Sequence, residues 1–353
     1  MANKITIAVV GAGWWAAYNH LPVLEENKNI ERIIVVESNR ERCAIIQEKF
    51  NIDAVYDNID NMLASEVIDG AIIATPHTCH FEHASRCIAA QEIPVLVEKP
   101  MTTSAEDARR LVELAELHST EILIANGWNF TPYMLKGREQ IQAGAIGKTQ
   151  HVVAQMASPL ADLFEGEPMK DTESDIFRPN RSTWADPKNA GGYGWGQMSH
   201  LLAAVYYLID EEPQSVYATF RLSAANVDNY DTAILKTKQE TTISLSGAST
   251  MPKHSGYMMD IRIFGTKGVL AFDIERERML VMRHSGEDIV INMKPGDGNY
   301  PEEAPIHYFI ALCQGKRVTN SANGKIGQRV VETLELMYNS AKSGKKRIVK
   351  KVV

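Results

Sequence analysis

A β-branched run, Ile5–Val10, breaks at Gly11-Ala12-Gly13-Trp14-Trp15-Ala16 and continues as a helix-like stretch through Leu24. No other segment of the chain restricts its architecture as tightly. A strand that turns on glycines into a helix opens a βαβ unit, and such units place parallel strands in one sheet with helices on its faces. The pattern repeats. Strand-like segments at 33–37, 70–74, 95–98 and 122–125 alternate with helix-like segments at 16–26, 40–50, 79–90 and 105–118. In the last of these, Thr103 or Ser104 can cap the first turn, with Glu106 and Asp107 at its positive end. Residues 1–126 therefore read as a doubly wound α/β domain.

After Asn126 the pattern changes. A helix over 133–143 ends at Gly144, and strand-like segments follow at 149–157, 215–223, 232–238, 241–246, 258–264, 268–273 and 279–283. They predict an α+β domain over 127–353 with a large, mainly antiparallel sheet. One face of such a sheet is free to pair with a second copy of the chain, since its apolar faces and edges need protection. Two late helices, 306–314 and 326–343, are expected to pack back on the first domain. The stretch 159–194 is long, polar and rich in Asp, Pro and Gly, which marks a functional or disordered loop.

Bulk properties exclude several classes. Lys plus Arg is 37 and Asp plus Glu is 44, a net charge of −7 over 353 residues, so no broad basic face exists for nucleic acid or an anionic membrane. The basic cluster Lys345, Lys346 and Arg347 reads as a solvated tail. Cys43, Cys79, Cys87 and Cys313 form no CxxC pair or zinc spacing, so no metal site is expected, and scattered thiols fit a reducing cytosol. With no leader and no membrane-length apolar run, a cytoplasmic protein is expected.

Chemistry concentrates at the strand ends. Gly11 allows a tight turn, Gly13 lets the backbone approach a pyrophosphate, and Ala16 lets helix and strand pack closely, with Trp14 and Trp15 beside them. Glu37, 21 residues beyond Ala16, would accept hydrogen bonds from ribose hydroxyls and favour NAD. Arg40 and Arg42 argue the other way, because a guanidinium can hold the extra phosphate of NADP. Thr75, Pro76, His77 and His80 follow the strand ending at Ala74, where they can line the nicotinamide ribose. Glu98-Lys99-Pro100 closes the apolar strand 95–98. Lys99 would face cofactor and substrate there, polarising a hydroxyl or carbonyl oxygen. Farther on, Gly191-Gly192-Tyr193-Gly194-Trp195-Gly196-Gln197 leads into His200 and an apolar helix. Glycines let backbone come close to a ligand, and His200 could face it. Asn129, Tyr193, Trp195 and Gln197 are read as shaping the substrate pocket.

Together these residues resemble the Gfo/Idh/MocA family of NAD(P)-dependent oxidoreductases, which act mostly on sugars, sugar acids and cyclitols. The resemblance rests on the Gly11-Ala12-Gly13 turn, Thr75-Pro76 with His80, Glu98-Lys99-Pro100, Gly144 to Gly147, Gly191-Gly192 before His200, and Ser340-Ala341 to Gly344. It implies an N-terminal Rossmann domain, a substrate-binding and oligomerisation domain, and a homodimer or homotetramer. It further implies a catalytic pair, Lys99 contacting the reacting hydroxyl and His200 accepting its proton. One departure stands out: many members have an aspartate four residues before the histidine, where this chain has Gly196. Either His200 works with Lys99 alone, or a water or Gln197 fills the gap. Two alternatives stay open. One is an oxidoisomerase or glycoside-cleaving enzyme that recycles its NAD, and the other a non-catalytic nucleotide-binding regulator.

Overall fold

Strands β1 (Ile5–Val10), β2 (Ile30–Val36), β3 (Ala54–Tyr56), β4 (Gly70–Ile73), β5 (Val95–Val97) and β6 (Ile122–Ile124) form one parallel sheet in the computed structural model, which describes residues 4–349. Their order is β3-β2-β1-β4-β5-β6. That is the strand order of the dinucleotide-binding doubly wound fold, with the switch point between β1 and β4. Every residue of β1, β4, β5 and β6 is buried. Helices on both faces of a parallel sheet require this, which is why these strands read as mainly apolar runs rather than alternating ones. The sequence pattern missed β3 and the helix Ile59–Ser65, whose cap is Asn58 accepting from the Asn61 N–H at 2.9 Å. β3 is a half-buried edge strand of three residues, too short for periodicity to register.

This sheet belongs to a unit made of residues up to Gly127, Pro168–Thr183 and Glu302–Gln328. Part of the polar stretch 159–194 thus belongs with the nucleotide-type sheet. The Trp14 indole N–H donates to Asp175 at 2.7 Å, and the Arg42 guanidinium lies over the Phe177 ring, 5.4 Å from its centre. The stretch is not one featureless loop, since it carries the short helices Ala161–Glu165 and Arg181–Trp184.

The second unit comprises Trp128–Glu167, Trp184–Pro301 and the residues from Arg329 onward. Its strands are β7 (Thr149–Ala157), β8 (Pro213–Leu222), β9 (Asp228–Thr237), β10 (Thr242–Ala248), β11 (Met258–Gly265), β12 (Gly268–Asp273), β13 (Arg278–Arg283), β14 (Ile289–Asn292) and β15 (Arg347–Ile348). They make one nine-stranded sheet in the order β14-β13-β12-β11-β7-β10-β9-β8-β15. Every neighbouring pair is antiparallel except β7 with β10. The helix Ser199–Ile209 is buried along its whole length. It ends at Asp210, left-handed at φ 52°, whose carboxylate accepts from Arg138 at 2.9 Å and Arg329 at 2.7 Å.

Two late expectations change. Ala304–Cys313 groups with the first unit, but Gly324–Ser343 is divided at residue 328, and its longer part belongs to the second. There the Thr333 hydroxyl meets the Tyr206 hydroxyl at 2.6 Å, and the Ser340 hydroxyl accepts the Ala218 N–H at 2.9 Å. The basic cluster near the end is no free tail either, because Arg347 opens edge strand β15 against β8. Among the described residues no helix is long and apolar enough to cross a membrane.

Candidate active site

In the first unit the glycine turn has the form a dinucleotide needs. Gly11 adopts φ 92°, and a Cβ there would stand 2.8 Å from the Thr75 backbone nitrogen and 2.9 Å from the Ala74 carbonyl carbon. Only glycine permits that approach of the β1 turn to the loop after β4. At Gly13 a Cβ would meet nothing within 4 Å, so the backbone is bare on the side where a phosphate would lie. Ala16 and Ala17 are buried, and Ala17 N–H donates to Gly13 O at 3.0 Å as the helix begins. Trp14 and Trp15 flank the turn with ring centres 5.5 Å apart.

Glu37 lies just past β2 with 7% of its surface exposed. Its Oε2 accepts from Ala12 N–H at 3.1 Å and from Arg42 at 3.0 Å, and its Oε1 accepts from Asn39 N–H at 2.9 Å. The acid therefore stands beside the glycine turn, as ribose recognition requires. Of the two arginines weighed from the sequence, Arg42 pairs with Glu37, while Arg40 is exposed at the start of the helix Arg40–Lys49.

After β4, Thr75 is half-buried, Pro76 exposed and His77 buried. His80 is fully buried, its Nδ1 2.7 Å from Pro100 O and its Nε2 2.8 Å from Thr75 O. Burial lowers its pKa against the opposing pull of those carbonyls. The ring ties the loop after β4 to the loop after β5 through Thr75 and Pro100.

Lys99 follows β5 and precedes a cis peptide to Pro100. Burial drives its pKa from 10.5 down to about 8, opposed by the charge of Glu98. Glu98 is buried, with His20 Nε2 at 3.1 Å and the Lys99 N–H donating at 3.2 Å. Burial pushes the Glu98 carboxyl up, but the contact with His20 and the Lys99 cation hold it below its ordinary value. An ammonium that ionises near 8 is poised both to donate to an oxygen and to pass a proton on.

In the second unit His200 occupies the first turn of Ser199–Ile209 and is 5% exposed. Trp128 meets its ring edge-on at 5.5 Å, and Tyr300 at 5.1 Å. Trp128 also contacts Tyr257 at 5.5 Å and Tyr300 at 4.7 Å. This aromatic enclosure escaped the sequence reading, because its members lie 72, 57 and 100 residues from His200 (200 − 128, 257 − 200, 300 − 200) and carry no shared motif.

The other residues assigned to a pocket divide. Gln197 is buried in the turn Gly194–Met198, and Trp195 stacks on Tyr338 at 5.3 Å with an 11° tilt. The Asn129 amide donates to Ala203 O at 3.2 Å. Tyr193, expected to shape the pocket, is wholly enclosed instead. Its hydroxyl donates to Met156 O at 3.0 Å and its ring packs on Phe164, so it anchors the turn to β7. Gly196 also has a packing reason. A Cβ there would sit 3.1 Å from the Phe164 ring and 3.2 Å from Trp184, so an aspartate would need both rings to give way.

A parallel sheet of this order with a glycine turn, an acid after β2 and a lysine after β5 defines an NAD(P)-dependent dehydrogenase acting on CH–OH groups. The chain belongs to the Gfo/Idh/MocA family: residues 5–125 match its oxidoreductase domain, an NAD-binding Rossmann fold, and residues 134–271 match its C-terminal domain. It is 23% identical to D-xylose 1-dehydrogenase [NADP(+)] of Haloarcula marismortui, over 97% of this chain and 92% of that one. Among solved structures it resembles the WlbA dehydrogenase of Bordetella pertussis in complex with NADH and UDP-GlcNAcA, with a TM-score of 0.77, 18% identity and 99% coverage of both chains. It likewise resembles a levoglucosan dehydrogenase in complex with NADH and levoglucosan, with a TM-score of 0.76, 18% identity, and 99% and 100% coverage.

Proposed function

We propose that the protein transfers a hydride between NAD and a secondary alcohol carbon of a sugar, sugar acid or cyclitol. The observation that carries this reading is Lys99, an ammonium brought to a pKa of about 8 at the carboxyl end of β5. Gly11, Gly13, Ala16, Glu37 and Thr75 hold the dinucleotide, which supplies the hydride acceptor when bound. Glu37 favours NAD, and Arg42, already paired to it, is the group that would serve the extra phosphate of NADP.

Lys99 holds the reacting oxygen and stabilises the negative charge that builds on it as its proton leaves. His200 takes that proton. Trp128, Tyr257 and Tyr300 exclude water from the imidazole and offer apolar faces to the C–H surfaces of a sugar ring. Support for a carbohydrate-type substrate comes from relatives named for xylose and a structural neighbour named for levoglucosan.

The test is Lys99→Ala. Affinity for NAD is expected to stay within about threefold, while kcat falls by about a thousandfold or more, since an electrostatic donor to the developing oxyanion is lost. Full activity in that variant would remove Lys99 from the mechanism. Net NADH formed from a polyol or sugar-acid panel separates a dehydrogenase from an enzyme that recycles its cofactor.

We also propose that a second copy of the chain covers the outer face of the nine-stranded sheet. Tyr217, Ile234, Ser244, Val153 and Arg262 lie side by side in one row across β8, β9, β10, β7 and β11. Tyr217, Ile234 and Val153 are 48%, 61% and 40% exposed, and Phe264, at 40%, extends the patch. A row of exposed large apolar groups across adjacent strands is a surface that association buries.

A further inference from the structure

Asp228 and Asp231 are three residues apart on β9, a spacing that sends side chains to opposite faces of a regular strand. Both are nonetheless 1% exposed and share one buried side. The register explains it. Leu222 of β8 pairs with Asp228 and Arg221 with Tyr230, so Asn229 is an extra residue and the bulge turns Asp228 inward.

Asp228 then reaches the glycine-rich turn ahead of His200. Its Oδ2 accepts the Gly194 N–H at 2.5 Å, and its Oδ1 accepts the Tyr338 hydroxyl at 2.6 Å. Tyr338 also accepts the Trp195 N–H at 3.4 Å while its ring stacks on that indole. The glycines fit this contact. A Cβ on Gly192 would stand 2.1 Å from Asp228 Oδ1, and one on Gly194 would stand 2.7 Å from the Tyr338 oxygen. What comes close to this backbone is an internal carboxylate and phenol. The turn Gly194–Met198 runs without a break into the helix Ser199–Ile209, so whatever fixes Gly194 and Trp195 fixes the first turn that carries His200.

We propose that Asp228, with Tyr338 beside it and Asp231 behind it, is the positioning device for His200, acting on the backbone in place of the aspartate that Gly196 leaves out. The proposal rests on the role given to His200 above. Asp228, accepting two hydrogen bonds, is the anion of the pair. Asp231 lies buried behind Asp228 with neither carboxyl oxygen hydrogen-bonded among the described residues, and burial together with the Asp228 charge raises its pKa well above the ordinary range, so it is the neutral member of the pair.

The assignment separates two isosteric variants. Asp228→Asn puts an amide where acceptors are needed, whereas Asp231→Asn exchanges one neutral group for another. In the full-length enzyme, Asp228→Asn is expected to lower kcat about 30-fold, the size of one lost charge-assisted hydrogen bond. NAD affinity stays within about twofold, and amide exchange over 193–198 speeds by about tenfold. Asp231→Asn stays within about threefold of wild type in kcat. Tyr338→Phe keeps the ring stack and loses one donor, so it carries the test if Asp228→Asn fails to fold, with kcat down about fivefold and faster exchange in the same segment. Wild-type kcat with unchanged exchange in Asp228→Asn and Tyr338→Phe would overturn the proposal, as would Asp231→Asn proving as damaging as Asp228→Asn. If the wild-type protein turns over no polyol or sugar acid, the reading of His200 fails, while the exchange measurement still decides whether Asp228 holds the turn.

Discussion

A lysine is useful at this site only because its surroundings change it. In water an ammonium is protonated far above neutral pH, but burial at the end of β5 brings Lys99 to about 8 despite Glu98 beside it. In the role proposed, the charged form holds the substrate oxygen. That form is complete below about 8 and is lost above it, so kcat/KM is expected to fall as pH rises through that value. Lys99→Arg supplies a cation that does not titrate in this range. The activity it retains should lack the alkaline limb, and a pH profile with the same limb in both proteins would assign it elsewhere. Glu37 is held in place by its contacts. Two backbone N–H groups and Arg42 converge on its carboxylate, so Glu37→Ser should release Arg42 and raise the ratio of kcat/KM for NADP over NAD by about tenfold, read from paired cofactor titrations. Gly11, Glu37 and Lys99 could be picked out from the sequence as candidates, because each stands in a local pattern at the end of a strand. Tyr193 could not, because a tyrosine beside a glycine turn reads the same whether its hydroxyl meets a ligand or, as here, the Met156 carbonyl.

The turn Gly194–Met198 shows the same limit for a whole element. Its glycines, with Gly192 just before them, read as a backbone opened toward a ligand, yet they make room for Asp228, Tyr338, Phe164 and Trp184. Those partners come from β9, the last long helix and the 159–194 stretch, and no local spacing connects them. Restoring the family aspartate tests the packing. Gly196→Asp places a side chain against two aromatic rings and buries a charge among them, so it should destabilise the protein by about 2 to 4 kcal/mol and lower the unfolding midpoint by several degrees in a thermal melt. A variant as stable as wild type and more active would show that the turn can open. The long strands and helices were legible because β-branched runs and caps such as Ser104 are local signals. β3, β14 and β15 were not, since each is a short strand at or next to a sheet edge where pairing, not composition, creates the strand. The β9 bulge belongs to this group: it exists only in the register with β8, and it alone turns Asp228 inward.

For the whole molecule, the decisive contrast lies between the two sheets. Helices enclose the parallel sheet, and its central strands are buried throughout. Strands β7, β9 and β10 instead alternate, with one side buried and the other carrying both polar residues and the row from Tyr217 to Arg262. An alternating strand has a committed inner face, so the outward groups are not core residues placed out of register. Ile234, the most exposed of the row at 61%, lies between Tyr217 and Ser244, where a partner would desolvate it fully. Ile234→Lys puts a charge there without touching the inner face, so the fold and NAD affinity should survive. Association should not, since an unpaired cation in the centre of an apolar contact costs several kcal/mol, and sedimentation should shift from oligomer to monomer. If the wild-type chain already sediments as a monomer at micromolar concentration, or if Ile234→Lys stays fully associated, this face is not where copies meet.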